Sequence, residues 1–126
     1  MIMNENKFKS MTANLSNEEI VNIKYYVKGA VYSFCNNCKD NKGSNLWFSI
    51  HTLFGKKDRF WKDPLVSLYD YYINIGKTHK AAVLSAGKDL GVLLKEVLIE
   101  DDRVYQKSKE QRKYLINSYR LISASD

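Results

Sequence analysis

From Ile20 onward, apolar residues recur at Ile23, Val27, Ala30, Val31, Phe34 and Cys38, in steps of three and four. That spacing keeps one side of an α-helix apolar for about six turns. The helix has a start signal, because Ser16 and Glu19 occupy the two positions of a reciprocal capping box. The polar run "NNCKDNKG" ends it, with Gly43 available for a left-handed exit. Downstream, "NLWFSIHTLFG" fits either a short buried strand or a helical turn closed by Gly55, and the charged loop "KKDRFWKD" follows. Asp63-Pro64 predicts a second helix start, a capping carboxylate followed by the residue favoured at the first helical position. Leu65, Leu68, Tyr69 and Tyr72 supply its apolar stripe, and Gly76 stops it.

The stretch "KTHKAAVLSAGKDLGVLLKEVLIEDD" reads as one long helix or as two. A single helix would hold Gly87 and Gly91 inside it, each about 1 kcal/mol worse than alanine. The expectation is therefore a break at "AGKD", with Gly87 in the turn and Asp89 capping the second helix. Thr78 would cap the first, and Leu90, Leu93, Leu94, Val97 and Leu98 would bury the second. In the tail, "RVYQK" and "KYLINSYRLI" are rich in tyrosine and β-branched residues around the polar turn "SKEQR". This favours a hairpin over a half-apolar helix. The expected fold is mainly α, a small helical domain with a C-terminal β-hairpin. Residues 1–14 form a flexible arm before a single domain at 15–126.

Composition narrows the function. With 126 residues, 44% of them hydrophobic, the chain can bury a core without disulfides or metal. It has no apolar run of the roughly 18 residues needed to span a bilayer. The polar N-terminus lacks a secretion-signal segment, and two cysteines make no disulfide framework. The expectation is a cytoplasmic protein without a membrane partner. The net charge of +6 favours an anionic partner, most simply nucleic acid. Residues 77–126 hold ten Lys/Arg against seven Asp/Glu, half of that excess.

Candidate chemistry is thin. Cys35, Cys38 and His51 match three positions of a zinc finger, but a second histidine three to five residues further on is missing. Cys38 instead continues the apolar side of the first helix, so packing is the simpler role. "GKT" at Gly76–Thr78 lacks the earlier glycine of a phosphate-binding loop, since Tyr71 stands there. His51 and His79 have no companion in the sequence. The acids Asp89, Glu96, Glu100, Asp101 and Asp102 suit helix termini better than catalysis. No enzyme, cofactor or metal is expected. The nine tyrosines suit core edges first, a protein interface second, and base stacking third.

"AAVLSAGKDLGVLLKEVL" resembles a helix-turn-helix unit, and "RVYQKSKEQRKYLINSYRLI" resembles a wing. Together they cover roughly residues 77–122 of a winged helix-turn-helix-like domain. The match departs from that pattern at Leu93 and Leu94, where a recognition helix carries polar side chains. "WFSIHTLFGKKDRFWKDPLVSLYDYY" is a rival location, with the Pro64 helix second. The resemblance implies backbone-dominated DNA binding, with Lys88 and Lys95 on the second helix and Lys107, Lys109, Arg112 and Lys113 on the hairpin. Arg112 is the candidate for a bidentate contact with a base edge. The competing expectation is a small inhibitor or adaptor of the phage or mobile-element type, acting by protein–protein binding, for example against a host defence nucleoprotein complex. The sequence sets no oligomeric state.

Overall fold

The computed structural model describes residues 12–55, 62–110 and 116–123. It is mainly helical and ends in a two-stranded antiparallel sheet, with the order α1 (Asn17–Asn37), α2 (Ile50–Phe54), α3 (Val66–Asn74), α4 (His79–Glu100), β1 (Val104–Glu110) and β2 (Ile116–Ser123). Two starts follow the local chemistry. The Ser16–Glu19 capping box is formed at α1, and the Thr78 side chain accepts from the Ala81 N–H at α4. At α3 the expected cap is not used. The helix begins at Val66 with no side-chain cap, and the Lys62 carbonyl accepts from the Val66 N–H instead. The Asp63-Pro64 peptide bond is cis. Nor does Gly43 terminate α1. That helix ends at Cys38, and Gly43, at φ +79°, closes a separate turn held by the Asp40 carboxylate.

The expected break at "AGKD" is absent. His79–Glu100 is one continuous helix, with Gly87 and Gly91 inside it. Ala82, Ala86, Leu90, Leu93, Leu94, Val97 and Leu98 line its buried side. Continuity also puts Asp89 under three donors, Thr12 N–H, Ala13 N–H and the Tyr72 hydroxyl, contacts that outweigh two glycine penalties of about 1 kcal/mol. Leu93 and Leu94 are interior positions of a core helix, which explains their departure from a recognition-helix pattern.

Asp89, expected as a cap, is a buried residue of α4. Its carboxylate accepts from the backbone N–H groups of Thr12 (2.8 Å) and Ala13 (3.1 Å) and from the Tyr72 hydroxyl. Residues 12 and 13 are therefore docked, with Ala13 in the core, and only residues 1–11 of the expected arm lie outside the described residues. From there the chain runs alongside α4 in the same direction: Lys24 reaches Glu96 and Glu100, and Tyr32 reaches Asp101.

The hairpin is not a free wing. Phe48 exchanges two 2.7 Å backbone hydrogen bonds with Tyr119, so β2 lies between Phe48 and β1. Asn45 adds a side-chain bond to the Leu121 carbonyl. The ambiguous "NLWFSIHTLFG" is thus both alternatives in succession, a one-residue bridge at Phe48 and then α2, which Ser49 caps and Gly55 ends. The buried Phe48 ring meets Phe34, Tyr105 and Tyr119 at centroid distances of 5.5–6.2 Å, joining the sheet to the helices.

Candidate nucleic-acid interface

Helices α3 and α4 form a corner around the turn Ile75–Thr78, in which Gly76 takes φ +99°. This turn between helices falls earlier in the chain than the break expected at "AGKD". Tyr69 ties the corner, its hydroxyl 2.8 Å from His79 Nδ1 and the two rings edge-to-face. His79 therefore has the companion that the sequence did not reveal, ten residues away across the turn.

The outer side of the corner is basic. Lys77, Lys80 and Lys88 are exposed. Lys80, Leu84 and Lys88, four residues apart, share one side of α4, and Lys77 stands in the turn just before its N-cap Thr78. Leu84 (54% exposed), Ile73 and Ile75 supply apolar surface among them. None of Lys77, Lys80 and Lys88 is in an ion pair with another described residue, and the Lys77 ammonium lies 5.7 Å from the Tyr72 ring centroid. Asp70, exposed on α3, is the acid of this corner. Lys95 stands seven residues beyond Lys88 on the same side of α4 and is half-buried.

The expected hairpin cations fare differently. Lys107 is half-buried, and its register partner is the buried Tyr119, which puts it on the core-facing side of the sheet. Of Lys109 the structure describes only its backbone pairing with Asn117, while Arg112 and Lys113 lie outside the described residues. A single ridge running from Lys88 through the hairpin is not assembled among the described side chains. Sequence reasoning missed Lys77, Lys80 and Arg120. Counting in fours back from Lys88 through Leu84 would have found Lys80, whereas Lys77, in the turn before α4, belongs to no such period. Arg120 lies over the Trp47 ring, 4.7 Å from its centroid, and donates to Gln106 at 2.7 Å.

At the other end of α4 the cations are engaged. Lys24 bridges Glu96 and Glu100. Arg103 contacts Asp101 at 3.2 Å and lies 3.8 Å from the Tyr32 ring centroid. Burial opposes the Asp101 charge, yet hydrogen bonds from Tyr105, Arg103 and Tyr32 outweigh it and hold the carboxyl below its ordinary value. Burial and that same carboxylate push the Tyr105 phenol well above its own ordinary value. Cys35 is buried at the end of α1, where burial raises its thiol against the pull of Arg103 and Lys39. A thiol in that state is a packing group rather than a nucleophile. Among the described residues, no group of three or more His, Cys, Asp or Glu is placed to hold a metal ion, and no helix is long and apolar enough to cross a membrane.

No protein-family model, curated protein or solved structure matches the chain.

Proposed function

We propose that this chain is a small, non-enzymatic, cytoplasmic nucleic-acid-binding protein that docks the phosphate backbone of duplex DNA on the α3–α4 corner. The observation that carries the reading is the exposed group Lys77, Lys80 and Lys88, unpaired among the described residues, in the turn before α4 and in its first half. Charge placement along that helix supports it. No acid lies in the first turn of α4 and no base in its last turn, whereas Lys80 stands near its N-terminus and Glu96 and Glu100 near its C-terminus. The helix dipole disfavours both placements, so the arrangement is not one that helix stability selects. The order α1, Phe48 bridge, helical corner and hairpin also keeps the winged helix-turn-helix-like comparison open, with α3 and α4 now as the two helices. Lysines in this role position the protein on DNA and specify little sequence.

The test is fluorescence anisotropy of a labelled duplex across a salt series. Each phosphate contact contributes a slope of about −0.9 to log K against log salt, so replacing Lys77, Lys80 and Lys88 together by alanine should flatten the slope by roughly 2 to 3. A Lys24→Ala, Lys28→Ala control on the far side should leave it unchanged. The reading is overturned by no binding at about 50 mM salt, or by a triple variant that binds as the wild type does.

A second reading, an adaptor or inhibitor that acts on another protein, draws on the exposed Ile73, Ile75 and Leu84. Such a mixture suits an acidic protein surface with apolar anchors. It calls for loss of binding on Leu84→Ser, a neutral change that leaves the lysine–phosphate contacts in place.

A further inference from the structure

We infer that Leu84 reads thymine: seated in the major groove of duplex DNA, it packs against thymine 5-methyl groups while Lys80 and Lys88 hold phosphates on either side. The inference rests on the nucleic-acid reading and adds to it the base chemistry that phosphate docking leaves open. Leu84 is 54% exposed, in the first half of α4. A lone exposed leucine is ordinary on a protein surface. This one stands midway between Lys80 and Lys88, four residues from each. Both lysines are exposed, and neither is in an ion pair with another described residue.

Four residues of α-helix advance about 6 Å and turn about 40° past a full circle. With Leu84 facing straight out, Lys80 and Lys88 therefore lean about 40° to opposite sides, about 12 Å apart along the axis. The major groove is about 12 Å wide and admits an α-helix. In a helix laid there, the central leucine meets the groove floor, and the two ammonium groups lean toward opposite rims, where the phosphates run. The acids of α4 are turned elsewhere. Asp89 is buried beneath Thr12, Ala13 and Tyr72, and Glu96 and Glu100 reach Lys24 on α1. Phosphate contact alone gives no use for a leucine at this point, since phosphates and water offer it no apolar partner. On the groove floor the apolar group is the thymine methyl, which the other three bases lack.

The experiment is fluorescence anisotropy of the full chain at about 50 mM salt with two labelled duplexes of one A·T-rich sequence. The second carries uracil in place of every thymine, so that only the methyl groups differ. The wild type should bind the thymine duplex about fourfold more tightly, the worth of burying one methyl group. Leu84→Ala should bind the two alike, whereas Lys80→Ala should weaken both and keep their ratio. Leu84 is a surface residue, so circular dichroism should be unchanged in its variant. Equal binding of the two duplexes by the wild type overturns the inference, whether Leu84 lies in the minor groove or off the DNA, and leaves phosphate docking standing. A preference for thymine that survives in Leu84→Ala overturns it as well. Absence of any duplex binding removes the nucleic-acid reading itself, and this inference with it.

Discussion

Asp89 is 3% exposed and accepts from two backbone N–H groups and a phenol. Burial, followed by that carboxylate, pushes the Tyr72 phenol well above its ordinary value, so the hydroxyl remains a proton donor at any physiological pH. The three donors come from three segments, and the carboxylate holds them together. Replacing it by alanine strands Thr12 N–H, Ala13 N–H and the Tyr72 hydroxyl in the interior, and should cost about 3–5 kcal/mol in urea denaturation. Tyr72→Phe removes one donor and leaves the carboxylate two partners, so about 2 kcal/mol is expected. Equal losses from the two variants would mean that the backbone contacts contribute nothing. In sequence, Asp89 resembles a cap because it follows glycine and lysine at the head of a leucine run. Its partners at Thr12 and Ala13 are 77 and 76 residues away, and no local pattern points to them.

Among the elements, what was legible divides by the range of the interaction that decides each one. The capping box at Ser16 and the Thr78 cap are contacts over three residues, readable from spacing alone. The hairpin was legible because its two runs are rich in tyrosine and β-branched residues around a polar turn. Its anchoring by Phe48 was not, since a single bridge residue has no period. The continuity of α4 was misread by giving local propensity more weight than the long-range contacts of Asp89. That error has a measurable counterpart, because a Cβ at Gly87 or Gly91 would meet nothing within 4 Å. Each Gly→Ala change should stabilise the protein by about 0.5–1 kcal/mol, raising the urea midpoint without changing the slope. Destabilisation at either position would show that the helix needs the glycine. The candidate site shows the same division: the lysines were visible as charge, but which of them share a surface depended on where α4 begins.

For the whole molecule, stability across pH depends on groups in two regions that titrate in opposite directions. Asp101, tied to Tyr105, Arg103 and Tyr32, has a carboxyl pKa held below its ordinary 3.8. On acidification the unfolded chain takes up this proton first, so stability falls as pH drops below about 4 and is fully present above it. Tyr72, Tyr105 and Tyr119 are shifted upward from 10.0, Tyr119 to about 12 by burial. Above pH 10 the unfolded chain releases these protons while the folded chain keeps them, so stability falls as pH rises. With respect to these four groups, the urea midpoint should be level from about pH 4 to 10 and decline on both sides. Asp101→Asn should lower the plateau and flatten the acid limb, leaving the alkaline limb in place. Tyr105→Phe should lower the plateau and make the alkaline limb shallower. Tyr105 donates to Asp101, so the double variant should lose less than the sum of the single losses. Strict additivity, or an alkaline limb unchanged in Tyr105→Phe, would show that the junction between α4 and β1 does not hold the hairpin on the helices. The Phe48 bridge would then be the contact that keeps β1 and β2 in place.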